Sequence, residues 1–433
     1  MAAGDYLPSF FEIYIDTDEN LNSLAELSPH TQGLYHHEYC HFIQDVTTTF
    51  GILKTWNVYD RLRQFVFSIQ HEAEVIHIPL HNEERERQQR YLDFIQRLIG
   101  SQKVLNRLID DKFDLVEVNL SEDPEINEMI PGLNAQHVHL TVRQPDLPDK
   151  IYRFGERAIS EGMVYLIESK FYTLPKPSRY PYLIAQELAR FIFPVIADSN
   201  ELLFALCDIA LMHPMPGWAY FHLLNRMKAE NLIPESGRAL IDFGRNEYVQ
   251  LGWNIAGQVE TAINATEHIS QQLYGHPHFE KTLQWFQTIV LRGHSIRREN
   301  PYFFLDLYKD DTPLGGHFAF IWYNLGGPHC INRNFERSMR PPAGMEADIG
   351  RIHPQHLRIS WQLNRFLLNG RIDCQLQDVC RHSEPNVTDD RCEEHPWRRI
   401  EDAMGCPYAA AWVIYGFHER QFLLGEIQIP EAT

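Results

Sequence analysis

Between residues 33 and 51 the chain reads GLYHHEYCHFIQDVTTTFG, and no other stretch restricts the fold as strongly. Leu34, Tyr35, Tyr39, Phe42, Ile43 and Val46 fall near helical spacing, which predicts a largely buried helix over about 30–50, stopping near Gly51. His37, Glu38 and His41 sit in the middle of it. Burying two imidazoles and a carboxylate costs free energy unless each meets a partner. The rest of the chain has to supply those partners.

His37, Glu38 and His41 spell H-E-x-x-H, a pattern that occurs once. Residues four apart on a helix lie one above the other, so both imidazoles can reach a single ion. Glu38 lies one step around, close enough to touch a water on that ion without being a ligand. Zinc chemistry uses this division: two neutral imidazoles, a third protein ligand, an open fourth position and a carboxylate base. The alternative is a set of hydrogen-bonded histidines with no ion, which leaves the burial cost unanswered. A third ligand is offered by ERAISEGMVYLIES, where Glu161 is the best placed and Glu156 and Glu168 are alternatives. His36 points away from His37 and reads as structural. Asp45, four beyond His41, could hold that imidazole from behind or simply face water. Tyr165, His213 and His222 are available as donors to a developing oxyanion.

The pairing of HHEYCHFIQD with AISEGMVYLIE, within residues 8 to 230, resembles the gluzincins among the zincin metallopeptidases, including bacterial members. That resemblance implies Glu161, the glutamate before glycine, as the third zinc ligand. It also implies a zinc-dependent metallopeptidase that hydrolyses a peptide bond by metal-activated water, with Glu38 as general base. Val164 stands where the superfamily has a small residue, and the segment between His41 and Glu161 is longer than in compact members. The expected substrate is a protein or peptide, and a regulatory protein partner is compatible with it. Two other readings compete. A non-catalytic zincin-like scaffold would keep the metal and have no use for Glu38. A di-iron carboxylate helical protein would use Glu38/His41 with Glu74/His77, but Pro79 ends any helix there.

Four of the seven cysteines crowd into the tail as Cys374, Cys380, Cys392 and Cys406. In a reducing compartment, clustered thiols more often bind metal than pair as disulfides. A second, structural zinc on these four is the expectation, with His382 or His395 able to replace one cysteine. An iron–sulfur cluster is the lesser alternative.

With 433 residues, 44% of them apolar, the chain can bury a large core. Its net charge of −19 repels phosphate backbones and anionic membranes, arguing against a nucleic-acid or membrane partner. No basic-then-apolar leader opens it, and LLFALCDIALM is cut by Asp208, so a cytoplasmic location is expected. SFFEIYID, FDLVEVNL and HVHLTV read as strands, and 54–74, 155–170 and about 182–230 as helix. The amphipathic stretch before Gly100 reads as helix too. The class is α+β, predominantly helical. Three regions are expected: 1–230 zincin-like, with an insertion at about 54–150; 231–365 helical; and 366–433 cysteine-rich.

Overall fold

The structure, a computed structural model, describes residues 4–70, 75–80, 83–101, 114–129, 134–143, 148–173, 177–253, 279–370, 376–382, 388–394, 396–402 and 406–425, with Gly257, Glu260, Ile263, Asn264, Glu267 and Cys374. The chain opens with strands β1 (Gly4–Leu7) and β2 (Glu12–Ile15), then α1 (Pro29–Thr47) and α2 (Thr49–Gln70). Next come β3 (Val75–Ile78), α3 (Glu83–Ile99), β4 (Asp114–Glu122), α4 (Pro124–Met129), β5 (Gln136–Arg143), β6 (Lys150–Phe154) and α5 (Glu156–Phe171). Helices then dominate: α6 (Ile184–Ile192), α7 (Pro194–Ala197), α8 (Asn200–Leu211), α9 (Pro216–Ala229), α10 (Gly237–Gln250), α11 (Glu280–Glu299), α12 (Phe303–Lys309) and α13 (Gly316–Leu325). Strands β7 (His329–Asn332) and β8 (Arg337–Ser338) precede α14 (Arg358–Asn369), and the tail holds α15 (Gln377–Arg381), α16 (Arg391–Glu394), α17 (Pro407–Ile414) and β9 (Gln421–Leu424). The class is α+β and mostly helical.

The first sheet runs β1-β2-β7-β8, with β2 and β7 parallel in the register Glu12 to His329. β4, β5 and β6 form an antiparallel sheet, and β3 pairs with β9 in parallel. Strands from the first region expected from sequence therefore pair with strands from each of the other two. A continuous buried cluster runs from Phe10 to Phe417 through all three.

α1 is the helix around which the site is built. Ser28 caps it, its hydroxyl accepting from the Thr31 N–H, and Pro29 supplies a pre-set φ in the first turn. Tyr39, Phe42, Ile43 and Val46 have no exposure, so its apolar face fixes its rotation in the core. The expected stop near Gly51 falls instead at Thr47. Thr48 is extended (φ −105°, ψ 153°), and the Thr47 and Thr48 hydroxyls each donate to an upstream carbonyl at 2.7 Å. Gly51 lies in the first turn of α2, where a Cβ would stand 2.5 Å from the Asp45 Cα. The glycine permits a tight corner between two helices and does not end the first.

Other expectations shift in similar ways. The strand expected at 9–16 shortens to β2, because Ser9 and Phe11 take φ of 67° and 53° in the turn from β1. The helix expected over 182–230 is four helices, with Pro194 and Pro216 opening new ones and Ser199 capping α8. β6 had no counterpart in the sequence reading. Asp208 on α8 is clamped by Arg297 of α11 at 2.8 and 2.9 Å. Among the described residues, no helix is long and apolar enough to cross a membrane.

Candidate metal centre

α1 and α5 pack side by side, each presenting one polar stretch to the other. From α1, His37 and His41 project toward α5; from α5, Glu161 projects back. The Glu161 Oε2 lies 3.3 Å from His37 Nε2 and 3.4 Å from His41 Nε2. That oxygen is buried and accepts no hydrogen bond. Among the described residues, these three form the one group of ligand-type side chains whose donor atoms all lie within 4.8 Å of one another.

The opposite side of each ring is already engaged. His37 Nδ1 faces Glu168 Oε2 at 2.9 Å, and His41 Nδ1 faces Gln44 Oε1 at 2.9 Å. Gln44 is held in that orientation because its Nε2 donates to the Ser160 carbonyl at 3.3 Å. Both partners are acceptors, so each Nδ1 carries the proton and each Nε2 keeps its lone pair. Three lone pairs thus converge on one small space. Two atoms bound to a tetrahedral zinc at about 2.0–2.1 Å stand about 3.3–3.5 Å apart, which the observed separations match. The donor set fits zinc.

The electrostatics point the same way. Burial opposes charge on His37 and His41, but the carboxylates of Glu161 and Glu168 outweigh it and hold both imidazoles above their ordinary range. Burial pushes Glu161 up, and the two histidines pull it well below the usual carboxylate range. The cluster demands positive charge, and protons or a cation can supply it.

Glu38 is buried at 7% exposure, and that burial raises its pKa against the pull of His37 and His41. β1 passes directly over it: a Cβ at Gly4 would sit 2.7 Å from the Glu38 Oε1. Tyr6, on the same strand, stacks on His41 with ring centroids 6.4 Å apart. A cleft of about 610 Å³ opens beside His37 and Glu38, walled by Leu34, Tyr165, Phe171, Tyr172 and Tyr182. The Tyr182 ring lies 6.1 Å from that of His37.

The remaining residues singled out in the sequence find other places. Glu168 is no ligand to the cluster and instead orients His37, while Glu156 pairs with Lys54 at 3.4 Å. Asp45 does not touch His41; it binds Lys54 at 2.8 Å and accepts from the Tyr6 hydroxyl at 3.0 Å. His36 lies among Phe171, Tyr172 and Phe318, where burial lowers its pKa to about 4. Tyr165 reaches the cleft wall. His213 is packed against Trp218 and Trp253, and His222 binds Glu247, away from the cleft. His77 lies on strand β3, and Glu74 is outside the described residues. Gln44 and Tyr182 carried no assignment from sequence. Gln44 had a local signal, three residues beyond His41; Tyr182, after a proline-rich turn, had none.

Cys374, Cys380, Cys392 and Cys406 are brought to one corner, but among the described residues they form no group as tight as the histidine–glutamate one. His382 stacks on Phe335 with centroids 4.3 Å apart and turns its Nδ1 to the Asp378 carbonyl, while His395 lies outside the described residues.

Comparison with family models, curated proteins and solved structures finds no match to this chain.

Proposed function

We propose that this chain is a zinc-dependent metallopeptidase, with His37, His41 and Glu161 as the zinc ligands and Glu38 as the general base. One observation carries the reading: two imidazole Nε2 atoms stand 3.3 and 3.4 Å from one buried Glu161 oxygen, with both Nδ1 atoms tied to acceptors. Zinc bound there would polarise a peptide carbonyl and acidify a water at an open position.

The chain's own residues do the rest. A Glu38 carboxylate oxygen takes a proton from the attacking water, whose oxygen bonds to the carbonyl carbon. When the carbon–nitrogen bond breaks, Glu38 returns that proton to the leaving amine. Tyr182, on the cleft wall with its ring 6.1 Å from that of His37, would donate to the oxygen that becomes negative. Gln44 and Glu168 keep both rings turned so that Nε2 faces Glu161. The apolar wall of Leu34, Phe171 and Tyr172 favours a substrate with an apolar or aromatic side chain near the scissile bond.

Glu38→Gln tests the proposal. The variant should retain zinc and cleave a broad peptide library about 10²–10⁴-fold more slowly than the parent. Unchanged cleavage, or a zinc-loaded parent that cleaves nothing in that library, would overturn it. The second of those outcomes would favour the scaffold reading.

A further inference from the structure

Three of the seven cysteines, Cys40, Cys207 and Cys330, are buried singly in the apolar core and behave as small hydrophobes. The other four are placed differently. Cys374 precedes α15, Cys380 lies on it, Cys392 lies on α16 and Cys406 caps α17. These are short elements, yet they meet: the Cys374 N–H donates to the Cys392 carbonyl at 3.2 Å. Both α16 and α17 pack on the turn of helix at Pro396–Asp402 between them.

Donors are aimed at these sulfurs. Arg399, buried at 6% exposure, turns Nε to Asp402 at 3.3 Å and places Nη1 3.1 Å from Cys392 Sγ. Arg337 of β8 lies beside Cys380. The Cys406 sulfur accepts the Ala409 N–H at 3.5 Å. A thiol is a poor acceptor, so the buried guanidinium and this backbone N–H gain little from it. They suit thiolates, whose negative charge strengthens each such bond.

We infer that Cys374, Cys380, Cys392 and Cys406 hold a structural zinc ion that ties α15, α16 and α17 together. Four thiolates complete a tetrahedral shell with no open position, which is the structural rather than the catalytic form of a zinc site. The sulfurs are more widely spread than the atoms of the histidine–glutamate group. Closing them around zinc asks the short helices α15 and α16 to shift toward one another. The site stands apart from α1 and α5 and does not depend on the peptidase reading.

The test uses the full chain, purified under reducing conditions, in the parent and in the His37→Ala/His41→Ala variant. That variant should still carry one zinc per chain. Titrating its thiols with an organomercurial should release that zinc stoichiometrically, with every cysteine left in place for folding. Cobalt exchanged into it should give near-ultraviolet thiolate-to-metal absorption, and Cys380→Ser/Cys392→Ser should abolish both signals. Less than half an equivalent of zinc, bound iron, or native disulfides among the four by mass spectrometry would each overturn the inference. A variant without zinc overturns the cysteine site whatever the parent holds, whereas one zinc per chain in parent and variant alike overturns the histidine centre and leaves the cysteine site standing.

Discussion

The histidine–glutamate centre and the cysteine corner gather metal-binding side chains by opposite means. In the first, two long helices carry the donors and the core sets their rotation. Gln44 and Glu168 finish the arrangement by pinning both rings, so the three atoms already stand at ligand spacing. In the second, Cys374, Cys380 and Cys392 sit on or beside α15 and α16, elements of five and four residues, while Cys406 caps α17, whose Tyr408 and Trp412 are buried in the core. Only the helix-borne group is closed to within 4.8 Å. Preorganisation of a metal site follows from what carries it: under the two proposals above, the helical centre would stand ready before its ion arrives, whereas the cysteine corner would need its ion to close.

Chelation should break the two apart most sharply. Stripping the chain of metal should drop peptide cleavage to background while α1 and α5 keep slow hydrogen exchange, since α1 is anchored by side chains with no exposure. The α15 and α16 elements should instead lose protection, because binding free energy at a four-thiolate site of about 10–16 kcal/mol is largely folding free energy. Equal loss of protection in both regions would remove the distinction. A smaller effect separates ligands from the groups behind them. Glu168→Ala and Gln44→Ala should each weaken zinc binding at the helical centre about 10–100-fold. Asp45→Asn should leave zinc affinity unchanged, because Asp45 serves Lys54 and Tyr6. Competition with a fluorescent chelator measures all three, and an Asp45 effect as large as that of Glu168 would contradict the assignment.

What the sequence made legible follows from the same difference. The i, i+4 spacing of His37 and His41 is a property of one helix, so it could be read without knowing the fold. Glu161 could be named from the Glu-Gly context, but its approach to within 3.4 Å depends on how two helices pack. Glu168 was legible as sharing the Glu161 face, yet its role emerged only when α5 was set beside α1, leaving it opposite Nδ1 and not Nε2. Asp45 sat at equally suggestive spacing, but Lys54, brought in by the corner at Gly51, claims it. The pairing of β2 with β7 joins residues more than three hundred positions apart, which no local pattern encodes. Cysteine spacing brought the tail to notice, whereas the buried Arg399 that reaches Cys392 had no sequence signal.

Histidines buried without any candidate ion sharpen the comparison from the other side. Both ring nitrogens of His294 lack partners, and His213 has one, accepting the Met215 N–H at 3.0 Å. Burial lowers both to about 3. Each folded-state value lies below the unfolded value of about 6.5, so the neutral ring is favoured in the native state. No penalty arises above about pH 6.5; below it the unfolded chain binds protons that the native chain refuses. Stability should therefore fall with pH by up to about 1.4 kcal/mol per unit for each histidine, continuing toward pH 3. His37 and His41 behave in the opposite sense, because their carboxylate partners welcome charge. Urea unfolding at several values between pH 7 and 5, in the His37→Ala/His41→Ala background to remove the metal's own pH dependence, isolates the effect. His294→Leu should make the acid limb shallower by about one proton per molecule, and an unchanged slope would show that His294 gains a partner or solvent on acidification. A buried histidine that resists protons and one that welcomes charge differ in what faces the ring: the Glu161 carboxylate across the helix pair for His37 and His41, the Arg297 guanidinium for His294, and aromatic rings with the Met215 N–H for His213.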